Sequence, residues 1–157
     1  MQKIRPFLWF DNQAEEAAHF YVSIFKNSKI GNISRYGEGG PGKKGTAMSV
    51  TFQLDGEEFM ALNGGPLFKF TEAISFFVNC ETQEEVDELW EKLSAGGEKS
   101  RCGWLKDKYG LSWQIIPSAL GRMLSNHEAG NSKKAFEAMM KMDKIDIKTL
   151  EQAYNQK

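Results

Sequence analysis

One helical pattern occurs twice in this chain in the same register, and that duplication limits the possible folds more than any other feature. In TQEEVDELWEKLSAGG (82–97) the apolar residues Val86, Leu89, Trp90 and Leu93 fall at i, i+3, i+4 and i+7, one stripe of an amphipathic helix. Thr82 can cap its start and Gly96 can end it. In NQAEEAAHFYVSIFKNSK the same stripe recurs at Ala17, Phe20, Tyr21 and Ile24, each 69 residues before its counterpart, and Glu15–Glu16 match Glu84–Glu85. Each helix, over residues 12–25 and 82–95, follows directly from an aromatic strand. The simplest fold is a duplicated βαβββ unit, one strand, one helix and three strands, over residues 3–63 and 72–117. Its clearest strand stretches are 3–10, 47–54, 58–63, 72–80 and 111–117, rich in aromatic and β-branched residues and bounded by Gly, Asp and Asn.

After Pro117 the pattern changes. A loop-like stretch leads into two short helical patterns, one with Phe136, Met139 and Met140 and one with Ile147, Leu150 and Tyr154 on its apolar side. Residues 1–117 are therefore expected to hold the paired modules, and 118–157 a helical appendage of the same domain. The 157 residues are enough for one core, and 41% of them are hydrophobic. Twenty basic and 21 acidic residues are interspersed for a net charge of −1, which argues against nucleic acid as a partner. The start lacks the apolar core of a signal peptide and no run suits a membrane span, so a cytoplasmic protein is expected. Cys80 and Cys102 lack neighbours at metal-ligand spacing and read as buried small side chains.

The blocks PFLWFDNQAEEAAHFYVSIF, ALNGGPLFKFTEAISFFVNCETQEEVDELWEKLSAGGE and CGWLKDKYGLSWQIIP together resemble the PhnB-like branch of the glyoxalase/bleomycin-resistance, or vicinal oxygen chelate, superfamily. Tail segments such as AFEAMMKMDKIDIKTLEQAY resemble it too. The resemblance implies an α+β fold of two βαβββ modules whose curved sheets cup a cavity, and a homodimer. Members of the branch often carry the label 3-demethylubiquinone 3-methyltransferase. A methyl donor of nucleotide type commonly sits over a Gly-rich turn between strand and helix, and no such unit is visible in this sequence.

The superfamily's enzymes hold a divalent metal with four side chains. Matching the blocks places those positions at Arg5, near Ala61, at Ala73 and at Gln114. Arginine has no lone pair to give, alanine has no donor atom, and a lone glutamine amide is a weak ligand, so no metal and no other cofactor is expected. Gln114 then either satisfies its own hydrogen bonds inside a polar cavity or donates to and accepts from a small molecule. Strand alternation predicts that Arg5, Phe7, Trp9, Phe59, Ala61, Asn63, Ala73, Ser75, Phe77 and Gln114 line the cavity, while Leu8, Phe10, Ile74, Phe76 and Val78 pack under the helices. The aromatics of this set either form a ligand site or simply fill the space between the modules.

Other signals are weaker. GEGGPGKKGT (37–46) spaces Gly37, Gly42 and Lys43 like a phosphate loop, but Lys44 stands where Ser or Thr would hold magnesium and a strand follows, so a mobile loop is expected. His19, on the exposed side of the first helix, and His127, in the tail loop, have no visible catalytic partner. The leading reading is a metal-free small-molecule binding protein. Its rivals are an enzyme of the lyase, isomerase or dioxygenase type, or a catalyst using Arg5 and Gln114 without metal, and an interaction module whose pocket is closed.

Overall fold

Both amphipathic helices form, and each lies on a four-stranded sheet of the same topology. The computed structural model describes residues 2–156, and the chain divides into two units, the first ending at Phe70 and the second beginning at Thr71. The first contains β1 (Phe7–Phe10), α1 (Ala14–Ile24), β2 (Lys29–Arg35), β3 (Ala47–Leu54) and β4 (Glu57–Asn63), with strand order β1-β4-β3-β2. The second contains β5 (Ser75–Cys80), α2 (Gln83–Ser94), β6 (Glu98–Lys99), β7 (Trp104–Lys106) and β8 (Ser112–Pro117), ordered β5-β8-β7-β6. In each sheet the first strand runs parallel to the last and the other pairings are antiparallel. The two helices start at residues 14 and 83, the 69-residue offset read from the apolar stripes.

In the first unit α1 buries Ala14, Ala17, Ala18 and Tyr21 against the sheet. The Tyr21 ring stacks on Phe52, which is 2% exposed, and Phe52 stacks on Phe59 at 5.4 Å. In the second unit Val86, Leu89, Trp90 and Leu93 of α2 meet the helix-side residues of the strands, Leu105, Trp113 and Ile115, all nearly inaccessible. The Thr82 hydroxyl accepts from the Glu85 amide, and Gly96 follows with φ of 76°, the left-handed conformation that ends a helix.

Three helices follow: α3 (Ser118–Ser125), α4 (Ser132–Met139) and α5 (Ile147–Tyr154). They form a core of Leu120, Met123, Ala135, Ile145 and Leu150 that also covers Ile116 of β8. The Gln83 side chain ties this tail to the start of α2, donating to the Ile145 carbonyl and accepting from the Ile147 amide. Among the described residues no helix is long and apolar enough to cross a membrane.

Several boundaries differ from those expected. The stretch 3–10 is strand only from Phe7, although the Pro6 carbonyl still accepts from the Met60 amide at 2.9 Å. The stretch 72–80 is strand only from Ser75; Ala73 and Ile74 lie in the preceding turn, and Ile74 is 69% exposed rather than packed under α2. Strand β2, KIGNISR, is too polar for a strand pattern to single it out, and its pairing with β3 is interrupted near Gly31 and Asn32. Residues 37–46 connect β2 to β3, with a strand and not a helix after them. Cys80 is buried as expected, whereas Cys102 is only half-buried and has φ of 58°.

Candidate functional site

Alternation gives each sheet a face under its helix and a face turned away from it. In the first sheet Leu8 pairs with Ala61 and Phe10 with Asn63. Cross-strand partners share a face, and Leu8, Phe10 and Ala61 are buried, so this is the helix side. The opposite face carries Phe7 beside Met60 and Trp9 beside Leu62, with Glu58 next along β4. Phe7 is 51% exposed. The Trp9 indole N–H donates to the Gly65 carbonyl at 2.9 Å, and its ring meets Phe68 edge-on. Its ring also lies so close to Gly64 that a Cβ there would stand 2.3 Å from it, so only glycine fits.

Three expected lining residues of the first module therefore face the wrong way. Ala61 is wholly inaccessible under α1 and Phe59 belongs to the stack with Phe52. Asn63 is structural: its Oδ1 accepts from the Ala14 amide, the first helical N–H of α1, and its Nδ2 donates to the Ala47 carbonyl. Gln13 makes no side-chain cap, so a residue from β4 supplies one. The reason for the error is arithmetic: a strand has period two, and an odd shift in matching β1 to β4 reverses every side chain. Arg5 precedes β1, and its guanidinium lies 3.6 Å from Glu58, forming an ion pair that sequence reasoning missed. The Glu58 Oε2 is buried without a hydrogen-bond partner.

In the second sheet the expected facing holds for Ser75, Phe77 and Gln114. Phe76 pairs with Trp113 and Val78 with Ile115 on the helix side, which leaves Ser75, Phe77 and Gln114 opposite. The Gln114 amide donates to the Ser75 hydroxyl at 2.9 Å, and Phe77 is 54% exposed. Ala73, the remaining expected residue, is off the strand and exposed. Register adds residues that sequence reasoning did not name: Gln114 sits between Phe77 and Trp104, and the next row is Ser75, Ser112 and Lys106. The hairpin length carried that signal, because counting back across the connection 107–111 pairs Lys106 with Ser112.

That turn is set by Asp107, which is 2% exposed. Its Oδ1 accepts from the amides of Tyr109 and Leu111, and its Oδ2 from the Trp113 indole N–H. One buried carboxylate thus holds β7 and β8 in register. Lys106 pairs with Glu72, whose hydrogen bond raises the lysine pKa; the same bond holds the Glu72 carboxyl below its ordinary value. Ser112 is fully buried and its hydroxyl has no hydrogen-bond partner.

The four positions implied for a metal do not supply a donor set. Arg5 offers only N–H groups, Ala61 and Ala73 have no donor atom, and Gln114, whose Nε2 donates to Ser75, leaves one amide oxygen, a single weak ligand. Among the described residues no three of His, Cys, Asp and Glu lie close enough together to hold a metal ion. Burial pushes the Cys80 thiol up to about 12, and His19 lies on the solvent side of α1, 4.0 Å from Glu15.

A family model described as 3-demethylubiquinone-9 3-methyltransferase matches residues 2–116. The tail, expected to share the resemblance, lies outside that match. Among solved structures, a PhnB protein from Bacillus cereus described as a 3-demethylubiquinone-9 3-methyltransferase is 46% identical, with 74% of this chain covering 99% of that one and a TM-score of 0.70. Two more distant structures share the fold. Protein PA1353 from Pseudomonas aeruginosa is 19% identical over 74% of this chain and 98% of its own, with a TM-score of 0.62. The fosfomycin resistance protein FosX from Listeria monocytogenes is 17% identical over 74% and 93%, with a TM-score of 0.51. No curated protein matches the chain.

Proposed function

The chain belongs to the PhnB-like family described as 3-demethylubiquinone-9 3-methyltransferase, on a vicinal oxygen chelate fold, and on that premise we propose that it binds a small molecule without a metal. The observation that carries this reading is the row Phe77, Gln114 and Trp104 on the face of the second sheet turned away from α2. An amide held by Ser75 between two aromatic side chains offers orientation and apolar area together, the composition of a small-molecule site. Phe7 and Trp9, with the Arg5–Glu58 pair beside them, give the first sheet a comparable face.

Binding is favoured over methyl transfer by the strand-to-helix connections. They are Asp11, Asn12 and Gln13 between β1 and α1 and Glu81 and Thr82 between β5 and α2, while β8 passes directly into α3, and none contains the glycine that lets a nucleotide-like donor approach the backbone. The protein acts as a homodimer, with Phe136 (48% exposed) and Met140 (47%) as apolar tail surface for a second copy. It works in the cytoplasm, in keeping with two free cysteines.

The test is a ligand screen by protein NMR using small aromatic carboxylates and their matched amides. At least one compound should shift the signals of Gln114 and Trp104. In Gln114→Leu the stability should change by less than about 1 kcal/mol, because volume is nearly kept, while affinity falls by about 1–3 kcal/mol with the lost hydrogen bonds. Signals of this face that stay unmoved by every compound would overturn the reading.

A further inference from the structure

We propose that the ligand carries a carboxylate, bound by Lys106 and Ser112, and that Glu72 holds the lysine alone until the ligand arrives. The inference rests on the small-molecule reading of the same face and names the chemical class it selects. It starts from Ser112, a fully buried hydroxyl without a hydrogen-bond partner in the row Ser75, Ser112, Lys106. Buried polar atoms are nearly always satisfied, so an orphan hydroxyl beside a lysine marks a place made for an acceptor.

The lysine already holds an acceptor of that kind. Glu72 lies in the turn before β5, its side chain is 57% exposed, and its carboxylate pairs with the Lys106 ammonium. Exposed ion pairs contribute little net stability, so an incoming carboxylate can replace Glu72 at small cost while the turn lets the side chain move aside. The pair thus records which anion the lysine accepts.

Charge narrows the class further. Glu98 is the cross-strand partner of Lys106 on the side away from Ser112, so one cation stands among two native carboxylates. Exchanging Glu72 for a monoanion keeps that balance; a phosphate dianion would add uncompensated charge. The neighbouring row supplies the rest, with Phe77 and Trp104 as apolar walls and the Gln114 amide between them. A small aromatic or otherwise apolar monocarboxylate matches both rows.

Benzoate and benzamide differ in charge but hardly in shape, and titrating each into the full chain by NMR tests the claim. Benzoate should bind several-fold tighter than benzamide and shift Lys106, Ser112 and Trp104. Lys106→Met should weaken benzoate about tenfold and leave benzamide within about twofold. Ser112→Ala should also weaken benzoate, and Glu72→Gln, an exposed change that leaves the core intact, should tighten it by removing the competing carboxylate. Equal binding of both probes at Gln114 and Trp104, or benzoate binding that ignores Lys106→Met and Glu72→Gln, would overturn the carboxylate inference and leave the small-molecule reading standing. Failure of both probes to shift this face would count against the two readings together.

Discussion

Asn63 shows how a single side chain can be misread when its strand register is wrong. Taken from sequence as a polar group in a cavity, it instead joins β4, β3 and the start of α1 through two hydrogen bonds. An N-terminal cap is worth about 1 kcal/mol, so Asn63→Ala should lower unfolding stability in urea by about 1–2 kcal/mol and leave any ligand affinity unchanged. An affinity loss without a stability loss would return Asn63 to the site. Asp107 carries more: three donors converge on one buried carboxylate, and hydrogen bonds to charged groups each contribute more than neutral ones. Asp107→Ala should cost about 3 kcal/mol or more, measured by denaturant unfolding, because the indole N–H and two amides lose their acceptor together. A loss below about 1 kcal/mol would mean that the turn holds itself.

The helices and strands are joined by surface charge as well as by apolar packing. Arg35 of β2 donates to both carboxylate oxygens of Glu15 in the first turn of α1, at 3.0 and 2.9 Å. The Arg35 hydrogen bond is the main cause that lowers the Glu15 pKa, partly opposed by desolvation. A carboxyl with a lowered folded-state pKa adds stability above its unfolded pKa, and loses it as pH falls through the folded value. Titration of the Glu15 side-chain carbon by NMR should therefore show a midpoint below that of ordinary glutamates, and Arg35→Gln should raise it. An unchanged midpoint in that variant would show that the bidentate pair does not persist in solution. The second element-scale lesson is β2 itself. Its sequence has no clean alternation, yet it completes the sheet because β3 presents a row of backbone donors and acceptors that need a partner.

At the scale of the whole molecule, the duplicated unit explains why so few residues specify so much. Each half repeats the strand order, and the tail seals the end of the second sheet at Ile116. The proposed dimer should sediment as twice the 17.8 kDa chain mass, and Phe136→Glu combined with Met140→Glu should shift it to the monomer. A monomer for the unmodified chain at high concentration would remove the dimer. Elemental analysis of protein purified without chelators should find well under one transition-metal ion per chain, since the inherited positions carry Arg5, Ala61, Ala73 and Gln114. Stoichiometric zinc, nickel or iron would show that other residues assemble a centre.

The repeat of apolar stripes, the cap at Thr82 and the stop at Gly96 were enough to determine two equivalent βαβββ modules and their helices, because helical periodicity and capping are local properties of the chain. Alternation within one strand was equally local, and it correctly separated Ser75 and Phe77 from Phe76 and Val78, and Gln114 from Trp113 and Ile115. What the sequence could not settle was the phase between strands far apart in the chain. Only pairing in three dimensions placed Ala61 and Asn63 under α1 beside Leu8 and Phe10, and brought Glu58 to Arg5. It likewise set Trp104 and Lys106 beside Gln114 and Ser112. Backbone hydrogen bonding fixes that phase in steps of one residue, and each single step turns a lining residue into a core residue.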